Sequence, residues 1–155
     1  MLFLLFQAGD DAYALDARQV REVIPRVALR ECPGAPSHVA GLFNYRGAVV
    51  PVLDFCLLLH HPPSRPRLST RVLLISWSEP ARSRSRLLGL VVESLIKTMA
   101  ADERAFSQAG LATDQAPFLG AVFCDGKRLI QRLIPDRLVP AETARMLWAA
   151  ENPGT

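Results

Sequence analysis

The chain has 155 residues, half of them hydrophobic, and 18 basic against 15 acidic side chains give a formal charge of +3. That length suits one domain or two small lobes sharing a core, and so much apolar material beside so little charge excludes wholesale disorder. No apolar run approaches the roughly 20 residues that a membrane-spanning helix requires.

The apolar opening from Met1 to Phe6 runs directly into Gln7 and Gly9-Asp10-Asp11. It lacks the basic region and small-residue cleavage site of a secretory leader, so it is read as a first strand and the chain as cytoplasmic. Asp11 to Leu15 resumes the apolar pattern after the Gly-Asp turn signal, which makes a hairpin. Asp16 has the character of an N-cap, and Ala17, Val20, Val23 and Ile24 recur at helical spacing before Pro25, predicting a helix of about two turns. Pro33-Gly34-Ala35-Pro36 is a rigid loop. Between Val39 and Asp54 two apolar segments are divided by Asn44-Tyr45-Arg46-Gly47, with Gly47 supplying the turn and Asn44 bonding its backbone. Pro51 has no N–H for a ladder, which places its segment on a sheet edge or at a bulge.

His60 to Ser69 reads as a Pro- and Arg-rich loop, Arg71 to Trp77 as a strand, and Ser78 to Arg86 as another loop. Leu87 to Val92 and the residues after Glu93 read as further strands. The stretch 100–117 has weak periodicity and receives no element. Asp125-Gly126 marks a hairpin between Ala121-Val122-Phe123-Cys124 and Lys127-Arg128-Leu129-Ile130. Pro140 opens a last helix, and 152–155 should fray. Short strands, turn signals and little helix together predict an all-β barrel or pair of barrels.

Reactive chemistry finds no motif. Cys32, Cys56 and Cys124 are odd in number and lack C-x-x-C spacing, so they read as buried, reduced thiols. His60 and His61 are adjacent, which points their side chains apart in an extended chain, and they read with His38 as loop histidines instead of metal ligands. A Cys56 and His60 nucleophile–base pair is disfavoured because the thiol lies within Phe-Cys-Leu-Leu-Leu, a core-like run. No metal, no cofactor and no catalysis are expected. Sixteen of the 18 basic residues are arginine, clustered at Arg65, Arg67, Arg71 and at Arg82, Arg84, Arg86. Without interleaved aromatics these read as solvated loops, with a basic barrel that binds nucleic acid as the alternative.

The ordered blocks Pro33-Gly34-Ala35-Pro36, Val39-Ala40-Gly41, Asn44-Tyr45-Arg46-Gly47 and Val50-Pro51-Val52-Leu53-Asp54 resemble the P-x-x-P, V-x-G, N-x-R-G and V-P-V-x-D pattern of the CheW-like family of bacterial chemotaxis adaptors. Val20-Arg21-Glu22-Val23-Ile24 is similar to that family's V-x-E-I segment, and Gly89-Leu90-Val91-Val92-Glu93 to its G-hydrophobic-V-V-D strand. Leu119-Gly120 and the Asp125-Gly126 hairpin fall where the family's last hairpin falls. The resemblance covers residues 4 to 139. Tyr45, Phe55, Glu93 and Ile134 depart from the usual residues, and Gln131-Arg132 interrupts the final strand.

The resemblance implies two small five-stranded SH3-like β-barrels packed side by side, with short helices. It implies a CheW-like domain over residues 1–140 built of two intertwined lobes, followed by a C-terminal helix and frayed tail over 141–155. It also implies a non-catalytic adaptor between a CheA-type histidine kinase and the cytoplasmic helical tip of methyl-accepting chemoreceptors, recruited to membrane-associated arrays without inserting in the membrane. Arg46, Glu22, Val20 and Gly41 would bind the receptor. The kinase contact is not assigned. From the residues alone Arg46 has two readings, a partner contact or an internal salt bridge with Glu22, and Gly41 either admits a partner helix or simply packs. Val20 and Glu22, about 200° apart on an ideal helix, would not share one narrow face.

Overall fold

A computed structural model describes residues 1–79, 84–106 and 113–149. Strands β1 (Leu2–Ala8) and β2 (Asp11–Asp16) form the opening hairpin, and a single 3-10 turn at Ala17–Gln19 leads into β3 (Val20–Pro25). Then come β4 (Val39–Tyr45), β5 (Ala48–Asp54), the one-turn helix α1 (Phe55–Leu58), β6 (Arg71–Glu79), β7 (Arg84–Val92) and β8 (Ser94–Ala100). Strands β9 (Leu119–Asp125) and β10 (Arg128–Leu133) precede the last helix, α2 (Ala141–Leu147), with Pro140 at its N-cap.

The strands make two five-stranded sheets, ordered β8-β1-β2-β10-β9 and β3-β6-β7-β5-β4. Each curls until its edge strands meet. Lys97 on β8 lies 3.4 Å from Asp125 on β9, and the Tyr45 hydroxyl on β4 donates to Glu22 on β3. The chain builds half of the first barrel, completes the second from β3 to β7, and returns to finish the first.

Strand alternation fills three cores. Phe3 and Leu5 on β1 and Ala12 and Ala14 on β2 line the first barrel with Ile130, while Val50, Val52, Val72 and Leu74 line the second. The opposite faces of the same strands, including Phe6, Tyr13, Leu15, Leu73, Ile75, Leu88 and Leu90, form the largest core, shared between the barrels. Both faces of β6 are therefore buried, which accounts for the unbroken run Val72-Leu73-Leu74-Ile75. Among the described residues no helix is long and apolar enough to cross a membrane.

Several elements differ from expectation. Residues 20–25 are strand, not helix: a register shift between Val20 and Glu22 sets Val20 opposite Ile75 and Val23 opposite Leu73. Both valines then reach the shared core from positions three apart, so a bulge imitates helical spacing. Pro51 lies neither on an outer strand of the sheet nor at a bulge, but on a stretch of an inner strand that is unpaired on its β7 side. Strand β5 sits between β4 and β7, and its pairing to β7 begins only at Val52, so the proline sits just outside that ladder. Strands β6 and β7 extend to Glu79 and from Arg84, well into the expected loop, and α1 was not foreseen. Gln131 and Arg132 remain within β10, where the register shifts instead of the strand ending. Of the cysteines only Cys56 is buried; Cys32 is half-buried and Cys124 exposed. Arg82 and the end at 152–155 fall outside the described residues.

Candidate functional site

The β4–β5 connection is a two-residue turn. Arg46 and Gly47 both have positive φ, 51° and 89°, the geometry of a type I′ hairpin, for which glycine, asparagine or aspartate is the usual first residue. The Asn44 side-chain oxygen accepts from the Gly47 N–H at 2.8 Å and holds the turn. Arginine in the left-handed region carries strain of order 1 kcal/mol, and the turn thereby projects a guanidinium whose side chain is 76% exposed.

That guanidinium meets Glu22 at 3.7 Å and lies 5.1 Å from the Tyr45 ring centre, while the Tyr45 hydroxyl donates to the same Glu22 carboxylate. The hydrogen bond to Glu22 raises the Tyr45 pKa. Glu22, Tyr45 and Arg46 thus cluster on the seam where the second barrel closes. Of the two sequence readings of Arg46, the internal pair with Glu22 is present, and most of the side chain still faces solvent.

The bulge at Arg21 separates Val20 from Glu22. Their partners Ile75 and Leu74 are consecutive on β6, so the two side chains leave opposite faces of the strand. Val20 packs against the shared core and Glu22 stands at the closing seam. Just before Val20, Gln19 borders a cleft of about 350 Å³ lined otherwise by Ala121 of β9, Arg132 and Leu133 of β10, and Ile134 and Pro135 after it. Sequence reasoning marked Arg132 and Ile134 only as departures from the family pattern and did not foresee the cleft, because the register shift in β10 has no local signature.

Gly41 is buried, and the backbone that approaches it is the chain's own. A side chain there would place its Cβ 2.6 Å from the Arg30 carbonyl oxygen and 2.9 Å from Leu29 Cβ, and φ is +149°. Arg30 and Leu42 exchange two backbone hydrogen bonds at 2.8 Å. Gly41 therefore seats the segment that crosses over β4.

Two carboxylates tie the barrels and loops together. Asp54 accepts from the Cys56 and Leu57 N–H groups, capping α1, and from the Ser64 N–H and hydroxyl. Glu93, at the passage from β7 to β8, accepts from the Gly9 N–H of the first hairpin at 2.7 Å and from the Arg65 N–H at 3.5 Å. Those backbone donors, Gly9 first, lower the Glu93 pKa. Burial pushes the Cys56 thiol up to about 11, the reverse of an activated nucleophile. Among the described residues no three His, Cys, Asp or Glu side chains group as a metal site.

The arginine clusters divide. Arg65 and Arg67 are exposed, in keeping with solvated loops, but Arg86 is not: its side chain is 6% exposed, it bonds Glu79 at 3.1 Å, and it stacks 4.7 Å from the Trp148 ring centre. A guanidinium so engaged is withdrawn from any phosphate-tracking surface.

Comparison with known proteins agrees with this architecture. The family model for the CheW-like domain matches residues 2–143. The chain is 26% identical over 141 residues to a chemotaxis protein CheW of Rhizobium meliloti (strain 1021), covering 90% of this chain and 87% of that protein. It is 23% identical over 145 residues to a chemotaxis protein CheW of Klebsiella aerogenes, covering 90% and 82%. The crystal structure of the scaffolding protein TtCheW from Thermoanaerobacter tengcongensis superposes with a TM-score of 0.80 at 21% identity, covering 94% of this chain and 92% of that one.

Proposed function

The chain belongs to the CheW-like domain family, and from that membership we propose that it is a non-catalytic chemotaxis adaptor coupling a CheA-type histidine kinase to the cytoplasmic helical tip of a methyl-accepting chemoreceptor. The observation that carries the receptor contact is the seam cluster, in which the exposed Arg46 guanidinium is aimed by a strained turn and steadied by Glu22 and Tyr45. Holding a flexible cation in one geometry before binding lowers the cost of ordering it on contact.

In this reading Arg46 engages carboxylates or carbonyls of the receptor helix, and Glu22 sets its orientation. Val20 packs into the shared core next to Gln19, and the cleft that Gln19 borders takes apolar anchors of the helix in the helix-in-groove mode. Gly41 acts indirectly, by seating residues 29 and 30 against β4. The protein works in the cytoplasm, gathered into membrane-associated receptor arrays through its partners. Coupling follows from differential contacts: an adaptor that binds one receptor conformation more tightly transmits that preference to the kinase it also holds.

The test is co-sedimentation with receptor-containing membranes, with kinase present and absent. Retention of the wild-type chain and loss of the Arg46→Glu chain supports the assignment. Equal retention of both, with a folded variant, overturns it.

A further inference from the structure

Strands β5 and β7 run parallel but pair only at Val52–Asp54 and Gly89–Val91. Before those rungs, among the described residues, 48–50 pair only with β4 and 84–88 only with β6. The two hairpins therefore splay, and two backbone edges face each other with no rungs between them among the described residues. A groove of about 520 Å³ occupies the splay, walled by residues 48–50 and 84–87 and bordered by the Trp148 indole.

Unpaired strand edges template the addition of another strand, and proteins normally blunt or cover them. This one carries little protection on its β5 side, where Val49 is 68% exposed. The charged side chains that line the groove, Arg84 and Arg86, are both cationic. Arg86 is fixed against Glu79 and Trp148, which makes that wall rigid, whereas Arg84 lies at the exposed mouth.

We infer that the splay between β5 and β7 is a strand-addition site for an extended, acidic segment of a partner protein. Backbone groups of the segment pair with the open edge of residues 84–87, an apolar side chain covers Val49, and a carboxylate meets Arg84. The occupant is extended because the groove offers ladder groups, and acidic because the exposed charge at its mouth, Arg84, is cationic while Arg86 is already matched by Glu79. This site lies on the β7 side of the β4–β5 hairpin, whose other side carries the seam at Glu22, and the occupant proposed for it does not depend on the coupling role proposed above.

The test is fluorescence anisotropy with the intact chain and a blocked nonapeptide that alternates valine and threonine and carries two aspartates. Saturable binding is expected, weakened about tenfold when lysines replace the aspartates and lost when alternate peptide amides are N-methylated. Val49→Asp and Arg84→Glu, both at exposed positions, should each weaken binding at least about fivefold. Arg84→Glu should also reverse the preference toward the lysine peptide. Amide exchange at 48–50 and 84–87 should slow on binding. No binding up to about 1 mM, equal binding of the N-methylated peptide, or indifference to both substitutions overturns the inference. Self-association of the wild type that Val49→Asp abolishes would assign the groove to a second copy and overturn it as well. The peptide variants decide the matter even if a protein variant fails to fold.

Discussion

Glu22 on β3 and Arg46 in the β4–β5 turn meet at 3.7 Å across the line where the second sheet closes on itself. One pair thus joins the barrel's two edge strands and presents its exposed cation at the surface. The structural share of this pair is small, because exposed ion pairs contribute about 0 to 1 kcal/mol.

Arg46→Glu should therefore leave unfolding within about 1 kcal/mol of wild type while weakening receptor binding about 5- to 150-fold, the equivalent of roughly 1 to 3 kcal/mol. Kinase affinity should persist. The exchange Glu22→Arg with Arg46→Glu restores an internal pair; if receptor affinity recovers fully in that double variant, the arginine acts only through Glu22. Urea melts and both affinities on one preparation supply the readings.

Gly41→Ala should be severe, since its Cβ would sit 2.6 Å from the Arg30 carbonyl at φ +149°. Strain and displacement of that segment predict a loss of about 2 kcal/mol or more by urea denaturation. Gly126→Ala is the control: its φ is +63° with open space around it, so only about 1 kcal/mol of left-handed strain is expected.

Acid should weaken the fold in two stages. Burial lowers the His38 pKa, so below about pH 6.5 the unfolded chain binds that proton first and stability falls with pH. Asp16, lowered mainly by its hydrogen bond from Arg18, and Glu93, lowered mainly by the Gly9 N–H, add a second decline below about pH 4.5. Stability measured across that range should show both, and His38→Gln should remove the first alone.

Thiol labelling should separate the cysteines. Cys124 is exposed and Cys56 is buried with its thiol raised to about 11. A disulfide reagent at pH 8 should modify Cys124 in the native state and reach Cys56 only on unfolding. Rapid native modification of Cys56 would contradict the packing of α1.

The barrels were readable from the sequence where structure is local. Gly9-Asp10 and Asp125-Gly126 mark hairpins whose turn chemistry acts over a few residues, and the family pattern ordered the pieces into two lobes. What could not be read required contacts distant in the chain. The bulge that gives Val20 and Val23 their misleading spacing exists only because β6 pairs with β3. The burial of Arg86 depends on Trp148, 62 positions later, and the tolerance of Pro51 depends on where β7 joins β5. The Glu22–Arg46 pair was legible as one of two readings of Arg46, but its place on the line where the sheet closes, with Tyr45 bonded to the same carboxylate, was not, since that follows from long-range strand pairing.

The C-terminal helix is tested through Trp148. Its ring stacks on Trp77 with centroids 5.2 Å apart and planes 10° apart, and Arg86 covers it at 4.7 Å. Trp148 also closes one side of the shared core, where it is 7% exposed. Trp148→Ala should cost about 3 to 5 kcal/mol, because it removes a large buried ring and exposes both Trp77 and the Arg86–Glu79 pair to water. The near-ultraviolet circular dichroism of the stacked indoles should vanish with it. Trp148→Phe keeps an aromatic face for Arg86 and should recover more than half of the stability. A stable Trp148→Ala chain that keeps the aromatic signal would mean that α2 does not anchor the barrels through this ring.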